Sequence, residues 1–254
     1  MATSDQGICI RVSDYSETSQ VVTLLTRANG VVRLLAKGTK RARSKSGGAI
    51  DLLSQGQCVF AGAGREALAT LMEFVETASH SNLRGDLRRL NASLYLLELC
   101  GAVLAEGDPH AQVFDLLHSA LARLGEKDSS PPVVAAYFQW RLLRHVGLLG
   151  EMTACVSCGG RCGPKGVYFS SSRGGLLCRT CETPAVEKRL VSPHALAGVA
   201  ALSAAAAGRR VHLTDTQAEA AIDLLTYHLE YQVGKRLKTS CLVSHSKTSH
   251  EADR

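Results

Sequence analysis

Four cysteines in two pairs constrain this chain more than any other feature: Cys155 and Cys158, then Cys178 and Cys181. The pattern is C-x2-C-x19-C-x2-C, within the spacing of a tetrahedral four-cysteine zinc site. Two residues between cysteines form a tight knuckle that presents both sulfurs to one ion, and two facing knuckles complete the shell. Gly159 and Gly160 follow the first pair and supply the backbone freedom a knuckle needs. The alternatives are a disulfide pair and a redox-active CxxC. The opening residues MATSDQ are polar and give no sign of a hydrophobic signal segment. Cys9, Cys58 and Cys100 have apolar neighbours and read as reduced core residues. Both observations favour a reducing cytoplasm, and so metal over disulfide. Cys162 is a spare thiol that can compete with Cys158 as a ligand. A closed shell of four sulfurs leaves no position for water, so one structural Zn2+ is expected. Its binding contributes on the order of 10 kcal/mol to ordering an insert over residues 151–186 that has little apolar material of its own.

The remainder of the chain reads as an α+β protein. Its 254 residues suffice for two modest domains, and its composition is that of a globular protein. No apolar run reaches the length of a membrane span, and the small-residue run at 201–207 ends in Gly208, Arg209 and Arg210. Residues 7–12, 21–26, 31–36, 57–61 and 68–75 are rich in β-branched and alternating residues and predict five strands. The second and third flank a turn ending in Asn29 and Gly30, which reads as a hairpin. Five short strands with Gly-rich turns fit a small N-terminal β-barrel of the OB-fold type over residues 1–80. The period then changes. Leu87, Leu90, Leu94, Leu97, Gly101 and Leu104 keep helical spacing, as do Val113, Leu116, Leu117, Ala120, Leu121 and Leu124. Pro131 and Pro132 open a third helix that runs to about Gly147, and residues 186–206 and 216–237 predict two more. A helical domain over 81–240 thus surrounds the zinc insert, and the polar tail 241–254 is expected to be disordered.

One segment departs from ordinary surface chemistry. Arg33, Lys37, Lys40, Arg41, Arg43 and Lys45 follow the third strand closely, and no acid occurs between Glu17 and Asp51. A solvated face normally mixes both signs. A cationic, Gly- and Ser-rich loop on the rim of a barrel suits a phosphate backbone, and the net charge of +6 agrees with nucleic acid. Only Tyr15 and Phe60 are aromatic in the first seventy residues, so base stacking is expected to be minor and sequence preference weak. A solvated loop without a ligand is the plain alternative.

Residues 15–38, YSETSQVVTLLTRANGVVRLLAKG, resemble the N-terminal signature of the RecO family of bacterial recombination mediators, as does the basic run after them. YFQWRLLRHVGLL at 137–149, leading into CVSCG, is similar to that family's helix before its zinc motif. LEYQVGKRLK at 229–238 resembles its closing segment. The resemblance covers nearly the whole chain in the right order. It implies an OB-fold, a helical zinc-carrying domain, binding of single- and double-stranded DNA, and annealing of complementary strands. It also implies complexes with RecR and with single-stranded DNA-binding protein, which together load RecA recombinase onto coated DNA. It implies a cytoplasmic, nucleoid-associated location and no catalytic residues. Two departures stand out: the chain lacks further basic residues just past Lys238, and some family members lack the cysteines, so zinc is not essential to the shared activity.

Annealing has a plain physical form under this reading. A cationic surface that holds two polyanions lowers their repulsion, and the bases then pair without nucleotide hydrolysis. The chain has no G-x-x-x-x-G-K-[ST] loop, and Gly62 and Gly64 do not extend to a dinucleotide fingerprint. Arg84, Arg88 and Arg89 form a second basic group that either extends the DNA surface or only solvates it. The acidic, apolar-ended tail of single-stranded DNA-binding protein would need a groove with a cation at its mouth. The helix at 137–145 offers Arg141 and Arg144 beside Trp140 and Leu143. Two rival classes remain. A zinc deaminase needs an H-x-E before its CxxC and proline before the cysteines, and neither occurs, nor does HExxH; His145 and His194 only flank the segment. A zinc-ribbon, OB-fold module that binds RNA or serves transcription shares the barrel and loop, and differs in not annealing strands.

Overall fold

The computed structural model describes residues 2–40, 48–62, 68–150, 152–163, 166–205 and 211–244. They pack as two compact units, Met1–Ser93 with Leu97–Gly125, and Leu94–Leu96 with Glu126–Arg254.

The first unit holds five strands: β1 (Ala2–Asp14), β2 (Gln20–Thr26), β3 (Gly30–Ala36), β4 (Gln55–Ala61) and β5 (Ala69–Ala78). They close into a barrel in the order β1-β2-β3-β5-β4. Every pairing is antiparallel except β3 with β5. This is the expected OB-fold architecture. β1 is long enough to pair with both β2 and β4, and a register shift between Cys9 and Arg11 bends it around the barrel. Alternation puts Val22, Leu24, Leu34, Ala36, Cys58, Phe60, Leu71 and Phe74 inside. Cys9 and Cys58 belong to that core, and burial pushes both thiols up to about 12.

The β2–β3 turn is held from below. Asp5 Oδ2 accepts hydrogen bonds from the Ala28 N–H at 2.9 Å, the Asn29 N–H at 3.1 Å and Asn29 Nδ2 at 2.7 Å. Gly30 leaves the turn at φ +67°, where a Cβ would lie 2.1 Å from the Asp108 carbonyl oxygen. Two helices complete this unit, apart from Leu94–Leu96 of the first helix, which belong to the second unit. α1 (Leu87–Val103) starts at Asp86, whose side chain accepts from the Arg89 N–H. α2 (Ala111–Leu124) buries Val113, Phe114, Leu117, Leu121 and Leu124. Its Asp115 carboxylate receives both Nε and Nη2 of Arg27 at 3.0 Å.

The second unit holds α3 (Pro131–His145), α4 (Pro193–Ala204), α5 (Asp215–Val233) and a small sheet of β6 (Tyr168–Ser170), β7 (Gly175–Leu177) and β8 (Arg189–Leu190), ordered β7-β6-β8. Ser130 caps α3, with Pro131 in its first turn. Thr214 and Gln217 form a reciprocal capping box on α5. α4 meets α5 closely at Gly198, where a Cβ would sit 2.6 Å from the Gln217 carbonyl oxygen. The Thr226 hydroxyl bonds Tyr95 Oη at 2.7 Å and accepts from Gln139 Nε2 at 3.3 Å.

Two predicted helix boundaries need correction. The helix predicted over 186–206 begins only at Pro193, because Ser192 caps there and Arg189–Leu190 pair instead with β6. The apolar Val186 and Leu190, which suggested an earlier start, are exposed. The last helix stops at Val233 because Gly234 takes the left-handed conformation that closes it. Ser240–Leu242 make one 3-10 turn that reaches into the segment 241–254 expected to be disordered, and residues 245–254 lie outside the described residues.

Candidate functional site

Cys155 and Cys158 precede β6, and Cys178 and Cys181 directly follow β7. Backbone hydrogen bonds shape both knuckles. The Gly159 N–H reaches the Cys155 carbonyl at 2.8 Å, and the Cys155 N–H reaches the Gly160 carbonyl at 2.9 Å. The Cys181 N–H reaches the Cys178 carbonyl at 3.0 Å. Gly159 turns the chain out of the first knuckle at φ +71°. The Val156 N–H bonds the Leu176 carbonyl at 2.9 Å, which ties the first knuckle to the strand that launches the second.

The sequence-predicted ligands converge. All four sulfurs lie within 4.8 Å of one another, and those of Cys158 and Cys178 are 3.9 Å apart. Metal–sulfur bonds of about 2.3 Å span a tetrahedron with edges of about 3.8 Å, whereas a disulfide needs about 2.05 Å. All four are free thiols, so the donor set fits a single thiophilic ion. Their protonation fits it too. Burial opposes ionisation at Cys155, but N–H groups of Cys178, Cys158 and Ser157 prevail and hold it at about 6. Hydrogen bonding to Cys178 and Cys158, with burial, pushes Cys181 up to about 12. Four anions cannot share this space alone, and a divalent cation removes the conflict. Cys162 packs against the same small cluster but lies outside the converging four.

The basic segment leaves the barrel at β3. Arg33 and Lys37 are exposed; Arg33 Nε lies 3.6 Å from Glu106, and Lys40 pairs with Asp14. Exposed pairs of this kind are worth about 0–1 kcal/mol, so a phosphate can displace the carboxylate. Arg41, Arg43 and Lys45 lie outside the described residues. The feature that sequence reasoning missed is how the segment is anchored. The buried Gln20 side chain accepts from Thr39 Oγ1 and from the Ile50 N–H, both at 3.1 Å, and donates to the Ile50 carbonyl at 3.3 Å. One amide thus ties Thr39 and Ile50, which flank Lys40, Arg41, Arg43 and Lys45 in the chain, to β2. Of the two aromatics noted, Phe60 is in the core and Tyr15 is exposed.

The second basic group is otherwise engaged. Arg84 donates to Asp51 at 2.8 Å and to the Leu52 carbonyl at 3.0 Å, and Arg89 lies 3.8 Å from Asp86. Arg88 is exposed. In the second unit, α3 and α4 enclose a groove of about 640 Å³ lined by Trp140, Arg141, Arg144, Ala200, Leu202 and Ala205, among others. The Arg144 guanidinium stands 5.9 Å from the Trp140 ring centre, and Arg141 stands 6.0 Å from that of Tyr137. Leu143, grouped with them from helical spacing, is fully buried in the core. The apolar wall comes from α4, which the sequence of α3 alone does not reveal.

Among the described residues, no helix is long and apolar enough to cross a membrane. The family profiles described as Recombination protein O N terminal and Recombination protein O C terminal match residues 1–79 and 84–240. A DNA repair protein RecO of Anaeromyxobacter sp. is 35% identical over 91% of both chains. One of Myxococcus xanthus is 30% identical over 92% of this chain and 94% of its own. One of Symbiobacterium thermophilum is 34% identical over 69% of each. With its closed barrel, its converging cysteines and both profiles matched in order, the chain belongs to the RecO family of DNA repair proteins.

Proposed function

We propose that this protein is a DNA-binding recombination mediator that anneals complementary single strands. In the same reading it helps load RecA onto DNA coated by single-stranded DNA-binding protein, with RecR as a partner, in the cytoplasm. The observation that carries this reading is the acid-free stretch between Glu17 and Asp51 on a closed barrel, within which Gln20 holds Thr39 and Ile50 on either side of residues 40–49. Arg33, Lys37, Lys40, Arg41, Arg43 and Lys45 are the DNA-contacting residues. They act as fixed positive charge: two strands held there repel less, and base pairing supplies the driving force, so no catalytic group is needed. Cys155, Cys158, Cys178 and Cys181 hold one Zn2+ whose role is structural.

Replacing Lys40, Arg41 and Arg43 together with alanine is expected to flatten the slope of log affinity against log salt by about 2 for single strands. Salt titration of oligonucleotide binding measures it, and an unchanged slope removes the segment from the interface. Annealing separates this reading from that of a generic nucleic-acid module. Complementary strands precoated with single-stranded DNA-binding protein should pair faster when this protein is added without nucleotide. Binding without acceleration would leave the RNA-binding or transcription-associated alternative.

The groove between α3 and α4 is the docking site for the tail of single-stranded DNA-binding protein. Arg141 and Arg144 match the acidic residues of that tail, and Ala200, Ala204 and Ala205 match its apolar end. Arg144→Glu should weaken binding of the tail peptide about tenfold, or about 1.4 kcal/mol, in a fluorescence titration. Unaltered affinity would exclude the groove.

A further inference from the structure

The cysteine module repeats the charge pattern of the barrel segment. Between Glu151 and Glu182 the chain carries no carboxylate, yet Arg161, Lys165, Arg173 and Arg179 all fall there. Three of these cations can be located around the thiol cluster. Arg161 leaves the first knuckle paired through its backbone with Ala154. Arg173, in the β6–β7 turn, donates from Nη1 to Ser157 Oγ inside that knuckle at 2.9 Å. Arg179 sits within the second knuckle, with its aliphatic stem packed beside Gly166. All three are exposed. No ion pair involves them among the described residues, whereas Lys188, just beyond the module, pairs with Glu182.

Cations near four thiolates have an obvious structural use, which is to balance charge. The arithmetic exceeds that need. A divalent ion with four thiolates carries a net charge of about −2, so two cations neutralise it and the module has more. The surplus is held on arginine, whose planar fork pairs with phosphate oxygens in a bidentate way that lysine cannot copy. The knuckles fix the backbone beside Arg161 and Arg179, and the bond to Ser157 ties the Arg173 side chain to the first knuckle, so little entropy is lost when an anion binds.

We propose that Arg161, Arg173 and Arg179 form a second binding surface for the phosphate backbone of single-stranded nucleic acid, separate from the barrel segment. The proposal rests on the reading of the barrel as a DNA-binding surface only for its use: one molecule then holds two strands at once. Metal ligation gains a functional consequence, because the second surface exists only when the knuckles are formed.

The test is phenylglyoxal footprinting of the intact, metal-loaded protein with and without saturating oligothymidylate. Modification of Arg161, Arg173 and Arg179 should slow about fivefold or more when the strand is bound, and the protection should fade as salt rises. Equal rates with and without the strand overturn the proposal and leave the arginines as charge balance for the thiolates. Arg33, Arg41 and Arg43 report on the barrel in the same experiment. Protection there without protection in the module defeats this inference alone, and the reverse defeats the barrel reading alone. A second measurement uses Arg161→Ala/Arg173→Ala/Arg179→Ala, with metal content checked. It should anneal strands about tenfold more slowly, and the triple lysine variant should recover the part of that rate that depends on charge alone. An unchanged annealing rate in the metal-loaded alanine variant overturns the proposal.

Discussion

Cys178→Ser is expected to empty the metal centre and to unfold the module around it while the barrel survives. The buried cluster in this region consists of Cys155, Leu177 and Ala185, with Cys162, Tyr168, Cys178 and Cys181 packed at its margin. Most of its mass is therefore the cysteines themselves. β6 and β7 are three residues each, too short to stand as an independent sheet. Structural zinc contributes on the order of 10 kcal/mol to such a site, comparable with the whole stability of a typical domain. Metal analysis should fall from about one zinc per chain to near zero. Trypsin should then cut at Arg161, Arg173 and Arg179, while cleavage within the barrel stays at its wild-type rate. Cys162→Ser should keep its metal, because Cys162 lies outside the converging four. A wild-type protein that is folded and metal-free would sink the four-cysteine reading.

Asp5→Ala is expected to be the most damaging single change in the barrel outside its apolar core. The carboxylate is almost fully buried and receives the Ala28 N–H, the Asn29 N–H and Asn29 Nδ2 on one oxygen and the Gln6 N–H on the other. Hydrogen bonds to a charged acceptor contribute about 1.5–3 kcal/mol each, and alanine leaves the donors of the β2–β3 turn without a partner. The bonds are shared and solvent can reach part of the turn, so the net loss should be about 3 kcal/mol. That corresponds to a melting temperature lower by roughly 10 °C. Asn at this position keeps one acceptor but aims an amide at the turn, and should fall between the two. Thermal unfolding measures the series. A shift of less than about 2 °C for alanine would mean that Gly30 and the strands hold the turn without help.

The sequence was most legible where a local rule and the tertiary packing agree. Alternation marked all five barrel strands because one face of each is buried. Pro131 sits in the first turn of α3, where its missing N–H would have had no helical partner anyway. Spacing alone brought together four cysteines that the fold places within 4.8 Å. Other features resisted because they depend on distant partners. Nothing local distinguishes Val186 and Leu190 from the face of a helix, and only the pairing of Arg189 with Phe169 and of Leu190 with Tyr168 makes a strand there. Asp5 reads as a surface acid until the turn at Ala28 closes over it. Arg84 reads as one of a basic trio until Asp51 is found 2.8 Å away. Leu143 shares a helix with Arg144, yet the groove takes its apolar wall from α4.

The Gln20 clamp separates two design problems. Thr39 and Ile50 are fixed to β2 by a single buried amide, and of the described residues between them Lys40 and Ala49 are exposed and Gly48 is half-buried. Lengthening a loop whose ends are already fixed costs little, about 0.6 kcal/mol for each doubling. The stretch between the two anchors can therefore gain, lose or rearrange cations while the barrel registers almost nothing. Affinity for a polyanion becomes a setting that can be tuned independently of folding, much as a handle can be changed on a tool whose socket stays the same.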